Sequence, residues 1–551
     1  MELERLLAAQ HDDHDDTPLQ LIAPDRGANR ARRRALTRRT FIGVSLGAAG
    51  AVGAVGVNAL GTSPAYASDP DPFTLGVASG DPTATGIVLW TRLAVDPLAE
   101  DGSGGMPNKR FPVEWQLATD EKFSKVVQSG SVQADPAWGH SVHIEVEDLE
   151  PDQWYWYRFR SDKHLSPIGR TRTMPAADAT TALHAVAVTC SHYEGGWFTG
   201  YDHAAQEGPD LVVELGDYIY EGGGVDGRTR VHPGSTCITL GDYRRRYALY
   251  KAEPETQQLH QAAPWIVTWD DHEVQDNWAG IHPKDGVPSD EFEARRTAAT
   301  RAFYENMPLR RRSQPDGPSI QLYRRFRWGR TADLHVLDTR QYRDRQACHD
   351  GGKTWWFVDC PEQADPNRTM LGEQQTNWLL DGFDNAEATW QVMAQGVVFS
   401  RRQGPDRALG SDSWDGYQAN RNLIRDAWTE RGVNNAVVLT GDVHLHMSNE
   451  IKADFEDPDS QTVGVELVST SITSGDDGRD SDPNWEKIME LNPHIKWIGG
   501  RRGYLSMDYT TERLEVRHMQ VPYVSKPGAP VEVARSYEVP AGAPRLHPLI
   551  G

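Results

Sequence analysis

Residues 211–221, LVVELGDYIYE, set four apolar side chains (Leu211, Val212, Val213 and Leu215) against a glycine and then a run of ligand-type residues. A continuous apolar run of this length reads as a short strand buried on both faces. Asp217, Tyr218 and Tyr220 follow directly, where an open α/β sheet places its active site. A carboxylate there can bridge two cations, having two oxygens and no proton to displace. Tyr220, three residues on, can reach the same ion as a phenolate if that ion is strongly Lewis-acidic. Taken alone, the stretch reads equally well as a strand-to-loop turn with Asp217 in an Asx-turn.

Three other apolar runs end in the same way. Residues 183–189 lead into Cys190-Ser191-His192. Residues 264–269 lead into Asp270-Asp271-His272-Glu273, with Asp276-Asn277 just beyond. Residues 436–439 lead into Thr440-Gly441-Asp442-Val443-His444-Leu445-His446. Four such ends on one sheet, each with carboxylate, imidazole or thiol, form either a polynuclear metal site or a costly cluster of like charge. A fifth run leads into Asp338-Thr339-Arg340, where Arg340 is a phosphate clamp or a structural ion pair.

The rest of the chain falls into order around these ends. Residues 1–67 read as an export signal with a basic N-terminal extension: Arg38-Arg39 within Thr37–Ile42 has the twin-arginine form, residues 42–60 are a weakly apolar h-region, and Ala65-Tyr66-Ala67 is a cleavage site. A membrane anchor is the alternative for this segment. Residues 68–174 carry short strands at regular spacing, a β-sandwich that resembles a fibronectin type III domain around 149–157. A small-residue linker, 171–181, precedes an α/β domain over 182–524, with helices expected at 242–259, 290–306 and 373–384. The Pro- and Ala-rich tail, 525–551, reads as a surface wrap without a core of its own. Of four cysteines, Cys348 and Cys360 lie close together in a Gly/Asp-rich loop and are the best candidate pair for an exported protein.

At its strand ends the chain resembles the calcineurin-like metallophosphoesterases, and closely the alkaline phosphatase D (PhoD-like) family. The superfamily runs D-x-H, G-D-x-x, G-N-H-[DE] and G-H-x-H. Here Cys190 stands for the first aspartate, Gly216-Asp217 is the second element, Asp271-His272-Glu273 replaces the third, and Gly441-Asp442-Val443-His444 the fourth. The resemblance implies a metallophosphoesterase-type α/β sandwich preceded by the smaller β-sandwich, and an iron and calcium enzyme. Thiolate and phenolate on one ion favour trivalent iron, assigned to Cys190, Asp217, Tyr220 and His444. Asp217 then bridges to calcium held by Asp271, Asn277 and Asp442, with more than one calcium expected. The choices between Asp270 and Asp271, and between Asp276 and Asn277, stay open.

The activity implied is hydrolysis of phosphate esters, with hydroxide or oxide on the cations attacking phosphorus in line. His272 would serve the leaving group as general acid or donate to a phosphoryl oxygen, and Arg340 would clamp phosphate. Substrates would be small phosphate esters, or phospholipid or cell-wall phosphodiesters. A phospholipase D-like diesterase shares every motif, and a non-catalytic envelope binding protein is the reading from another class. A net charge of -22 argues against a nucleic-acid partner. The expected enzyme is a secreted or envelope-associated monomer that meets the twin-arginine translocase on export.

Overall fold

The computed structural model describes residues 70–284, 287–349 and 355–550. The twin-arginine segment and its cleavage site lie outside the described residues.

Two stacked sheets make the body. The first has ten strands, in the spatial order His547–Ile550, Glu532–Pro540, Arg513–Val521, Arg502–Tyr509, Leu183–Val188, Leu211–Glu214, Trp265–Val267, Val77–Gly80, Ile87–Arg92 and Ser141–Val146. Its middle strands, Leu183–Val188, Leu211–Glu214 and Trp265–Val267, are parallel. The second sheet has seven, Arg324–Trp328, Ala332–Val336, Trp390–Ala394, Ala436–Thr440, Thr462–Val468, His446–Lys452 and Ile495–Gly499.

Alternation along the strands explains why their apolar runs are continuous. Ala185, Ala187, Val213 and Ile266 face the second sheet and pack with Val336, Val392, Val437 and Leu439 from it. Val186, Val188, Val212 and Val267 face the other way, into a core that includes Phe303 and Leu259 from helices Ser289–Asn306 and Pro254–Ala262. On the outer face of the second sheet, Met393 and Val438 meet Leu379 and Ile424 of helices Gly372–Asp384 and Gln418–Glu430. The central parallel strands of each sheet are covered on both faces, which is the condition for such strands to be apolar throughout. The expected α/β sandwich is therefore the fold.

Several details differ from expectation. The strand ends belong to two sheets, not one: Ala436–Thr440 lies in the seven-stranded sheet. The two rims meet because Gly441 sits where a Cβ would be 2.4 Å from the Thr189 hydroxyl. Three strands within 68–174 extend the ten-stranded sheet, Gly80 pairing with Trp265, while Phe111–Ala118, Val126–Ala134, Trp154–Ser161, His164–Leu165 and Gly169–Arg172 form a separate five-stranded sheet. The expected helix over 242–259 is two helices, Leu240–Lys251 and Pro254–Ala262, because proline opens the second at a first-turn position. The tail contributes the strands Glu532–Pro540 and His547–Ile550, and Tyr537, Val539 and Leu546 are buried in the main core. Cys348 and Cys360 form a disulfide, and Cys190 and Cys237 are free and buried. Among the described residues, no helix is long and apolar enough to cross a membrane.

Candidate metal centre

The strand ends are held together by one buried carboxylate. Glu273 accepts the amides of Asp217 at 3.2 Å, Tyr218 at 2.6 Å and Asp270 at 2.9 Å, so it ties the second strand end to the third. The first joins through the Cys190 amide, which donates to the Gly216 carbonyl at 3.1 Å, and the Ser191 amide, which donates to the Asp217 carbonyl at 3.0 Å. The glycine before Asp217 is required by space and conformation: φ at Gly216 is 108°, and a Cβ there would lie 2.5 Å from the Asp270 nitrogen.

The side chains that follow sit on unusual backbone. Cys190 (φ 55°), Asp217 (57°), Asn277 (51°), Asp442 (66°) and His444 (54°) all occupy the left-handed region. That conformation costs a non-glycine residue about 1 kcal/mol or more and persists only where the surroundings impose it. Three of these residues, Cys190, Asp217 and His444, turn their side chains toward one another at the meeting of the two rims.

Two tight groups result. One ligand atom from each of Cys190, Asp217 and His444 lies within 4.8 Å of the others, and the same holds for Asp217, Asp271 and His272. Asp217 belongs to both. The Cys190 sulfur is 3.4 Å from Asp217 Oδ2. The Tyr220 hydroxyl is 3.1 Å from that same oxygen and 3.1 Å from His444 Nε2. The rings of His272 and His192 lie 4.1 and 4.4 Å from that of Tyr220.

Electrostatics separate the neighbouring carboxylates. Burial, then the charge of Asp271, raises Asp217 well above the usual aspartate value. Burial raises Cys190 well above the usual thiol range, reinforced by Asp217. Burial raises Asp442 to about 6, against the opposing pull of Arg340. Asp271 is held low: burial works against ionisation, but Arg340 and His272 outweigh it. Burial would lower His272, yet Asp271, Glu221 and Asp217 raise it well above the usual histidine value.

Of the residues singled out in the sequence, Cys190, Asp217, Tyr220 and His444 converge around one point. Asp271 joins them through Asp217, whereas Asp270 points to the Arg340 guanidinium at 2.5 Å. Asp442 approaches Asp271 through Arg340, whose Nη2 is 3.9 Å from the one and 3.7 Å from the other. The Asn277 amide nitrogen of the backbone donates to Asp271 Oδ2 at 2.6 Å, and its side chain donates to Asp276 at 3.1 Å. Asp276 also pairs with Lys284 at 2.7 Å.

Arg340 makes the ion pairs that are the alternative to a phosphate clamp. It is 0% exposed, and besides Asp270 it donates to Asp412 at 3.0 Å. Its Nη2 lies 3.7 Å from Asp271 and 3.9 Å from Asp442, so the guanidinium sits within the acidic cluster. Sequence reading also passed over Asp412, which accepts from Arg343 at 2.7 Å and Gln346 at 2.8 Å. Glu221 was in plain view beside Tyr220, and its partner is His272, whose Nδ1 is 2.7 Å away. His446 lies off the site, with Nε2 3.1 Å from the Met519 carbonyl.

The donor set fits metal ions. A thiol, a phenol, an imidazole and a shared carboxylate lie at spacings that ligands of one ion take, and the second group adds oxygen donors of the kind calcium prefers. Buried acids this close to one another call for compensating positive charge, and Arg340 and His272 face Asp217, Asp270, Asp271 and Asp442 together.

Comparison with known proteins gives concordant results. A family model described as PhoD-like phosphatase matches residues 184–518, and one for the PhoD-like phosphatase N-terminal domain matches residues 59–175. Alkaline phosphatase D of Bacillus subtilis (strain 168) is 43% identical over 518 residues, covering 91% of this chain and 87% of that protein. A solved structure titled "Structure of PhoD" superposes with a TM-score of 0.85 at 42% identity, over 88% of this chain and 94% of that one.

Proposed function

Because the chain belongs to the PhoD-like phosphatase family and is a phosphoesterase, we propose that it hydrolyses phosphate esters at the cluster centred on Asp217. In this reading Cys190, Asp217, Tyr220 and His444 hold trivalent iron, while Asp271, Asn277 and Asp442 hold calcium, with Asp217 shared between them. Bound there, the cations supply Lewis-acid polarisation of the phosphoryl group and activation of water.

The chain's own groups supply the rest. Glu221 engages His272 Nδ1 and fixes the ring, so Nε2 is the nitrogen that would protonate the departing oxygen or donate to a phosphoryl oxygen. Asp271, Glu221 and Asp217 raise His272 above the usual histidine value, which favours the protonated ring. Arg340 and Asp412 hold Asp270, Asp271 and Asp442 in place from below. The twin-arginine segment would send the enzyme out already folded, a route suited to a protein whose metal ligands come from four separated stretches of chain.

The observation that carries this reading is the convergence of Cys190, Asp217, Tyr220 and His444, three of them on left-handed backbone. The test is metal analysis of the purified protein together with hydrolysis of p-nitrophenyl phosphate and its bis-ester. Iron and calcium should copurify, and chelation should abolish both rates; the ratio of the two rates assigns monoester or diester preference. Hydrolysis by metal-free protein would overturn the reading.

A further inference from the structure

Two buried hydroxyls stand beside the two most electron-rich donors of the cluster. The Thr189 hydroxyl is 3.1 Å from the Cys190 sulfur, and the Ser474 hydroxyl donates to the Tyr220 oxygen at 2.6 Å. Each also has a backbone carbonyl in reach, Gly216 at 2.9 Å for Thr189 and Cys190 at 3.0 Å for Ser474. A hydroxyl has one proton, so each must choose between the carbonyl and the side-chain donor.

The carbonyls do not need that proton. Gly216 already accepts the Cys190 amide at 3.1 Å, and Cys190 accepts the amides of Thr473 at 3.4 Å and Ser474 at 3.3 Å. Water does not compete either, since Thr189 is 1% exposed and Ser474 0%. A hydrogen bond to an anion is about twice as strong as one to a neutral acceptor. When sulfur and phenol oxygen are deprotonated as ligands, both hydroxyl protons therefore turn to them.

The loop that presents Ser474 is itself fixed. Arg502 donates to the Ser474 carbonyl, to the Ser471 hydroxyl at 2.5 Å and to the His444 carbonyl at 2.9 Å. One guanidinium thus sets Ser474 in place relative to a residue of the cluster.

We propose that Thr189 and Ser474 are positioning and tuning residues that hydrogen-bond to the Cys190 thiolate and Tyr220 phenolate and weaken their donation to the shared cation. This rests on the ligand assignment proposed above. Hydrogen bonds around a metal-bound sulfur or oxygen withdraw electron density from it and so tune the ion. Removing them should raise the energy of the donor electrons and bring charge transfer to iron to lower energy.

The test is visible spectroscopy with iron analysis of the metal-loaded Ser474→Ala and Thr189→Val proteins, with Thr189→Ser as the variant that keeps the hydroxyl. Each of the first two should retain iron and shift one band to longer wavelength, Ser474→Ala the phenolate band and Thr189→Val the thiolate band, and Thr189→Ser should match the unaltered protein. Iron retained with both bands unmoved would overturn the proposal, as would loss of iron from both variants, which would make the hydroxyls structural. An unaltered protein with neither iron nor bands would instead bring down the ligand assignment itself.

Discussion

Glu221 Oε2 lies 2.7 Å from His272 Nδ1, and its other oxygen accepts the Asp276 amide at 2.8 Å. The pair gives His272 a fixed ring orientation at the edge of the cluster. His272→Ala should keep iron and lose about 10²–10⁴ in rate, the cost of removing a general acid or a phosphoryl donor. The loss should be larger for alkyl esters than for nitrophenyl esters, because an alkoxide needs a proton to leave and a nitrophenolate does not. Glu221→Gln should lose less, about 10–100-fold, by loosening the ring. Equal losses on the two ester classes would make His272 a charge stabiliser, and loss of iron in His272→Ala would make it a ligand.

Arg340 is predicted to act on stability first. It is buried against Asp270 and Asp412, and removing one member of such a pair typically costs about 3–5 kcal/mol. Arg340→Ala should show that loss in urea unfolding and should also bind metal poorly. A variant of normal stability with a raised KM would restore the phosphate clamp instead.

His184 provides a pH dependence away from the metal centre. Burial lowers its affinity for protons, but Asp508 at 2.8 Å and Glu207 at 3.5 Å outweigh this and raise it to about 9 from the ordinary 6.5. A raised folded-state value means that the stabilisation is fully present below pH 6.5 and lost as pH climbs through 9. Its size is on the order of 1 kcal/mol after allowing for solvent screening. Thermal unfolding from pH 6 to 10 should show the unaltered protein losing its advantage over His184→Gln across that window. A constant gap would remove His184 from the account.

Export is testable in cells. Replacing Arg38 and Arg39 by Lys should leave the precursor inside, and the mature protein should begin near Ser68. Continued export of the altered protein by the general secretory route would refute the twin-arginine reading.

The sequence carried the fold unevenly, for identifiable reasons. The runs at 185–188, 211–213 and 436–439 were legible because both faces are buried there, so apolar residues follow one another without alternation. Which sheet each run joins was not legible, since an apolar strand looks the same in either layer. The ligand-type residues stood out because they follow those runs directly. Their supports did not: Asp412 sits in a turn with no periodic pattern around it, and Ser474 looks like any residue of a Ser/Thr-rich loop. Asp270 differs from Asp271 in its direct contact with Arg340, which is 70 residues away in the chain. The tail was misread because a composition rich in Pro and Ala hid the alternation that buries Tyr537 and Val539.

The central claim is that Cys190 is a metal ligand, and iron analysis of Cys190→Ala tests it most directly. The thiol is free and 1% exposed, 3.4 Å from the carboxylate of Asp217. The variant should fold, as judged by its unfolding transition and circular dichroism, yet lose iron, visible colour and hydrolysis of p-nitrophenyl phosphate together. A Cys190→Ala protein that keeps its iron and its rate would contradict the account.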